Sequence, residues 1–141
     1  MPQVAKSAPD ALADAPDLLA ELTQLLISEG RRGEARSTLG ALAALGSRDP
    51  RVDLLGGLLD FAEGRYTGAE ARYRRLLTAD PEHDIARAFL AESLVAQRRW
   101  REAEGLLAEV QGADRNAAAV RFAAELSAGL GSGLFQRTDA G

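Results

Sequence analysis

The one histidine of the chain, His83, lies in the run Asp80-Pro81-Glu82-His83-Asp84, where an imidazole beside carboxylates could share a metal or move a proton. One imidazole with acids on a turn is too small a donor set for either task. The same acids suit the start of a helix, whose positive dipole end favours them. There is no cysteine to serve as nucleophile or thiolate ligand. No Walker loop occurs, and Gly129-Leu130-Gly131-Ser132-Gly133 lacks the further glycine and the strand–turn–helix setting of a dinucleotide fingerprint. These residues point away from an enzyme and imply no cofactor and no metal. The glycine run reads as part of a flexible C-terminal tail.

Positioning any functional side chain falls to helices. The 141 residues include 28 Ala and 22 Leu against 5 Val and 2 Ile, and Ala and Leu lose least on entering a helix. An all-α fold follows. A chain of this length hides roughly two-thirds of its extended surface, enough for one core and one domain. The formal charge is 17 minus 21, or −4. Arginines stand in short clusters, such as Arg72, Arg74 and Arg75 or Arg98, Arg99 and Arg101, interleaved with acids or apolar residues. The negative balance and the few aromatics argue against nucleic acid as a partner. No run of about 18 apolar residues could insert in a membrane. The first 17 residues hold Pro2, Pro9, Pro16 and three Asp rather than the apolar stretch of a signal peptide. A cytoplasmic location is the expectation.

Self-similarity at an offset of 34 residues organises the middle of the chain. Gly30 repeats at Gly64, Ala35 at Ala69 and Ala103, Leu39 at Tyr73 and Leu107, and Leu42 at Leu76 and Val110. Each unit reads as two helices around a tight turn. Helices are expected over 17–29 and 34–45, 51–63 and 68–79, 82–97 and 101–111, with a closing helix over 115–130. Asp49-Pro50 and Asp80-Pro81 each place a capping carboxylate before a proline at the first helical position, where its missing N–H costs nothing. Thr67 with Glu70 reads as a capping box. Gly30, Gly46, Gly64 and Gly112 fall where helices need a left-handed stop.

These residues resemble the tetratricopeptide repeats. Their 34-residue pattern combines Leu and a small residue in the first helix, a turn Gly, an aromatic, an Ala, a large apolar residue four later and a Pro near the end. The second unit supplies Gly57, Gly64, Tyr66, Ala69, Tyr73 and Pro81. The third supplies Leu90, Ala91, Leu94, Trp100, Ala103 and Leu107, with Arg98 in place of the Gly and Arg115 in place of the Pro. The first supplies Leu22, Leu26, Gly30, Ala35 and Leu39, with Arg32 where an aromatic usually sits. The resemblance spans about residues 16–115 and implies a right-handed α-solenoid of three repeats, 16–49, 50–83 and 84–117, with a capping helix 118–130. Flexible segments 1–15 and 131–141 would flank it. Ala35, Ala69 and Ala103, with Leu39, Tyr73 and Leu107, would be the repeat-packing set. The runs LLGGLLDFAEGRYTGAEARYRRLL and RAFLAESLVAQRRWREAEGLL are also similar to stretches of small repeat proteins that act as chaperones in bacterial type III secretion systems.

Such repeats hold peptides on a concave surface lined by their first helices, so the resemblance implies a protein-binding module. In one branch, Lys and Asn on those helices clamp a C-terminal carboxylate. The matching positions here are Ala20, Gln24, Leu55, Ile85 and Phe89, which implies an apolar groove instead. The expected groove residues are Ile27, Leu54, Leu58, Phe61, Ile85, Phe89 and Val95. The expected partner is a protein or peptide with an apolar segment, and the alternative is a homodimer through the apolar helix faces.

The first helix of the second unit leaves its orientation open. Leu54, Leu58 and Phe61 form one row, Leu55, Leu59 and Ala62 another, and Asp53, Gly57 and Asp60 share the remaining face. Strict 34-residue register turns the Asp face inward, at a cost of several kcal/mol if the acids are unpaired. A one-residue rotation buries Val52, Leu55 and Leu59 and turns Asp53 and Asp60 to the groove. An intermediate rotation, with Leu58 and Phe61 at the groove edge, is preferred. A helix this apolar is equally well explained as core.

Overall fold

A computed structural model describes residues 8–46 and 48–133, with side chains from Asp14 onward. Among these residues are seven helices and no strand: α1 (Ala8–Ser28), α2 (Arg32–Leu45), α3 (Pro50–Ala62), α4 (Tyr66–Ala79), α5 (Asp84–Ala96), α6 (Trp100–Ala113) and α7 (Ala117–Gly131). The protein is all-α, built from helix–turn–helix hairpins. Helix ends fall within two residues of their expected places except at the start of α1. That helix begins at Ala8 rather than at 17 and carries Pro16 inside it. Residues 8–15 of the expected flexible segment are therefore helical. Good helix formers on both sides of Pro16 carry the helix past one missing N–H. Of the glycine run expected in the flexible tail, Gly129, Leu130 and Gly131 belong to α7 and Ser132 and Gly133 form a turn, while residues 1–7 and 134–141 of the two segments lie outside the described residues.

The chain divides into two compact units, Met1–Leu59 and Asp60–Gly141, where length alone suggested one. Hairpins in a repeat chain bury their apolar faces mainly against sequence neighbours, so burial is modular. In the first unit, Ala20, Leu26, Ala35, Leu39, Leu42, Leu55 and Leu59 form one buried cluster, with Leu19, Ile27, Val52 and Leu58 packed on it. Thr23, also fully buried, donates to the Leu19 carbonyl at 2.6 Å, and its hydroxyl lies 2.7 Å from that of Thr38. The pair is polar but satisfied. Asp49 caps α3 as expected, its Oδ1 accepting from the Arg51 N–H at 3.0 Å. The Arg51 guanidinium bridges Asp49 at 2.8 Å and Asp17 at 2.7 Å, which joins the start of α3 to α1.

Three hairpin turns share one geometry. Arg31, Arg65 and Arg99 precede α2, α4 and α6 with φ of −87°, −92° and −95° and ψ of 69°, 69° and 68°. Their N–H groups reach back to the carbonyls of Leu26, Asp60 and Leu94 at 2.8, 2.8 and 2.9 Å. The residue just before each is left-handed: Gly30 at φ 76°, Gly64 at 78° and Arg98 at 63°. Arg98 thus adopts a backbone that costs an L-residue roughly 1 kcal/mol. Two other expected stops differ. Gly46 is extended at φ −169°, and Gly112 lies inside α6, which Asp114 closes at φ 49°.

Two expected caps also move. Arg65, not Thr67, precedes α4, and no side chain caps that helix. Glu70 is drawn instead to Arg74 and Arg99, each at 2.9 Å, and to Gln97 at 3.0 Å. Hydrogen bonds outcompete the capping box. Asp80-Pro81 forms a turn, with Asp80 Oδ1 accepting from the Glu82 N–H at 3.2 Å. Helix α5 starts at Asp84, where His83 Nδ1 accepts from the Ala86 N–H at 3.1 Å. The single imidazole is a helix cap.

In the second unit, Ala69, Tyr73 and Leu76 of α4 are buried together with Leu90, Ala91 and Leu94 of α5 and Ala103, Leu107 and Val110 of α6. Ala69 and Ala103, like Ala35 in the first unit, are completely excluded from solvent. One position breaks the apolar pattern. Leu26 and Leu94 are buried at offsets of 34 on either side of residue 60, yet residue 60 is Asp, only 7% exposed. Its Oδ2 accepts from Arg72 Nε at 3.0 Å. Gly68 passes so close that a Cβ there would sit 3.2 Å from the same oxygen. Inward burial of Asp60 is what occurs, and Arg72 supplies the cation that makes it tolerable. Asp53 is half-buried, and Leu55 and Leu59 are in the core of the first unit. Neither simple rotation describes α3.

Arg115, standing where the resemblance implies proline, has a defined task. Its Nε and Nη2 each donate to Asp84 at 2.9 Å, fastening the α6–α7 turn to the first turn of α5. Arg87 adds a bond to Asp84 at 2.7 Å and another to the Pro81 carbonyl. The Arg115 hydrogen bonds hold the Asp84 carboxyl below its ordinary range, against the opposing effect of burial.

Candidate functional site

Helix α5 is apolar on two faces. Leu90, Ala91 and Leu94 face the hairpin interior and are buried. Ile85, Ala88, Phe89 and Val95 lie on other sides of the same helix, as the 3.6-residue period requires. Ile85, Ala88 and Phe89, with Ala118, Ala119 and Phe122 of α7, line a cavity of about 230 Å³. The Phe89 and Phe122 rings meet edge-on at 5.5 Å, and Phe89 also leans on Tyr73 at 5.9 Å.

A second cavity, of about 310 Å³, continues along the two helices. Glu92, Val95 and Ala96 of α5 and Leu126 of α7 line it, together with Phe61, Arg98 and Trp100. Residue numbers rise together on α5 and α7 from the first cavity to the second, so the helices run side by side in the same direction. Phe61 packs edge-on against Tyr66 at 5.0 Å.

Electrostatics distinguish the two cavities. The first holds no ionisable group. The second holds Glu92, which burial pushes above its ordinary pKa, and is bordered by the exposed Arg98. Among the described residues no hydrogen bond or ion pair meets its carboxylate. The Tyr73 phenol is driven far up, by burial first and then by the charges of Glu92 and Asp60, with Arg72 opposing.

Four expected groove residues, Phe61, Ile85, Phe89 and Val95, therefore gather in the second unit. Val95 is a wall rather than an exposed contact, at 7% exposure. In the first unit, Ile27 and Leu58 are half-buried and rest on the core cluster. Leu54 borders a cleft of about 300 Å³ with Ala20 and Leu55, edged by the polar side chains of Asp17, Glu21, Gln24 and Arg51. Of the clamp positions, Ala20 and Leu55 belong to that core, and none offers a cation. The sequence reading missed Ala119, Phe122 and Leu126, because α7 was taken only as a cap. The signal was present: these residues stand 34 positions after Ile85, Ala88 and Glu92.

Among the described residues no group of three His, Cys, Asp or Glu is placed to hold an ion. No described helix is long and apolar enough to cross a membrane. Residues 60–126 match the tetratricopeptide repeat family. That segment opens with the second unit and ends at Leu126, so it contains both cavities. No curated protein and no solved structure matches the chain.

Proposed function

We propose that the α5–α7 face binds an apolar segment of a partner protein or peptide, and that the chain works as an interaction module without catalysis. Tetratricopeptide repeats generally mediate protein–protein contacts, which supports the class. The observation that carries this reading is the cavity walled by Ile85, Ala88, Phe89, Ala118, Ala119 and Phe122. A concave, wholly apolar lining of this kind suits aliphatic or aromatic anchors. A chaperone or scaffold role, including service in a secretion system, is the narrower form of the same reading and rests on the resemblance of two stretches of sequence.

Ala118 is solvent-exposed at the mouth of this cavity, so Ala118→Glu places a charge in the mouth with little effect on packing. Apolar peptides selected on the wild-type chain from a display library are expected to lose binding to this variant while its helical circular dichroism stays unchanged. Equal binding by the variant would sink the proposal.

A second reading is favoured by the first unit. Leu18, Leu22 and Leu25 lie along one face of α1 and are 63%, 43% and 53% exposed. An exposed leucine row of this spacing suits a helix face of a second copy. Light scattering across a dilution series should then show a dimer that Leu22→Glu reduces to monomer. A monomer throughout rules this reading out.

A further inference from the structure

The second cavity contains a carboxylate that folding has left without a counter-ion. Half-buried Glu92 sits among Phe61, Val95, Arg98, Trp100 and Leu126, and no hydrogen bond or ion pair meets it among the described residues. Elsewhere the protein does not leave its secluded acids so: Asp60 has Arg72, Asp84 has Arg115 and Arg87, and Glu70 has Arg74 and Arg99. Nothing in the fold itself calls for a charge at residue 92, because the hairpin side of α5 is already filled by Leu90, Ala91 and Leu94. The next repeat-equivalent position is Leu126, so an apolar residue fits there. Arg98 also borders this cavity, but from an exposed position and with no ion pair to Glu92, so the Glu92 carboxylate is the secluded charge that an apolar client does not explain.

We infer that the Glu92 pocket takes one lysine or arginine side chain of the partner, whose apolar anchor fills the neighbouring Phe89–Phe122 cavity. The inference rests on the peptide-binding reading of the α5–α7 face. Its chemistry is charge complementarity inside an apolar wall. A long basic side chain lays its methylene stem along Phe61, Val95 and Leu126 and brings its cation to the carboxylate. The partner's charge then provides what burial withholds, and the raised pKa of Glu92 falls back on binding. Spacing follows from the helix. The α5 residues of the two cavities are centred about seven positions apart, so anchor and cation are separated by roughly 10 Å. This requirement excludes the acidic, C-terminal peptides that a carboxylate clamp would hold.

The test selects a display library of random short peptides on the full chain and on Glu92→Gln. The preferred peptide is then synthesised with Lys or Arg, and with norleucine in its place. Expected is enrichment of a basic residue at fixed spacing from an apolar one, on the wild-type chain alone. The basic peptide should bind the wild type about ten-fold tighter than its norleucine counterpart, and the two should bind Glu92→Gln alike. Glu92→Gln removes a buried charge, so it should fold, and an unchanged dichroism spectrum verifies that. Apolar peptides enriched without a basic residue would overturn the cation pocket and leave the apolar site standing. No enrichment over an unrelated helical protein would overturn both.

Discussion

At the scale of single residues, Asp60 shows how one letter dictates others. An acid in a position that its repeat equivalents fill with leucine needs a cation within hydrogen-bond reach and space for its oxygens. Arg72 meets the first need at 3.0 Å, and the absent side chain of Gly68 meets the second. The equivalents of Gly68 are Glu34 and Glu102, which pair with Arg31 and Arg99 at their turns. Glycine at 68 gives up that pair. Replacing a helix-interior Gly by Ala ordinarily stabilises by about 0.5–1 kcal/mol. Gly105→Ala, with nothing near its new Cβ, should gain that amount in chemical denaturation. Gly68→Ala should gain nothing or lose stability, because its Cβ meets the Asp60 carboxylate. Equal gains in both variants would mean that the close approach is unimportant.

Elements were the most legible level. Ala and Leu abundance and the 34-residue series located every hairpin, with the start of α1 misplaced at Pro16, whereas the punctuation held at Asp49-Pro50, Gly30 and Gly64 but not at Gly46, Gly112 or Asp80-Pro81. What remained hidden depended on partners distant in sequence. The Thr67–Glu70 box failed because Glu70 is held by Arg99, which lies 29 residues on. The orientation of α3 could not be read because Arg72, the partner of Asp60, lies in the following helix. Likewise α7 read as a cap because its apolar face becomes a cavity wall only beside α5. The turns also yield a prediction at this level. Arg98 holds the left-handed position that Gly30 and Gly64 hold in the other hairpins, so Arg98→Gly should stabilise the third hairpin by about 0.5–1 kcal/mol. A lower melting temperature would show that the Arg98 side chain contributes more than its backbone costs.

Across the whole molecule, the acids paired with arginine make stability fall in acid, while Glu92, raised by burial, acts in the opposite sense nearer neutral pH. Asp49, Glu70 and Asp84 are all held below their ordinary pKa. Arginine hydrogen bonds lower Asp49 and Asp84, while for Glu70 burial opposes but Gln97, Arg74 and Arg99 together prevail. A carboxyl whose folded pKa is depressed contributes stability above its unfolded value near 4, and loses it as pH falls through the folded value. Denaturation midpoints should therefore decline below about pH 4, and Glu92→Gln should remove any rise seen as pH drops from neutral to about 5. Asp84→Asn should cost about 1–2 kcal/mol at pH 7, less than a fully buried pair because Arg115 keeps 40% exposure. It should also shrink the acid-induced fall, and an undiminished fall would locate the sensitivity elsewhere.

The buried Asp60–Arg72 pair also bears on how the chain avoids assembling wrongly. Near-identical hairpins invite a slip of one repeat, in which a second helix docks on the wrong first helix. A 34-residue slip would set Arg72 against Leu26 or Leu94, and would offer Asp60 only Thr38 or Leu106 in place of the guanidinium. Either mispairing strands a charge in an apolar seam at several kcal/mol. The pair thereby acts as a key, giving three similar hairpins an order that their leucines and alanines alone do not encode.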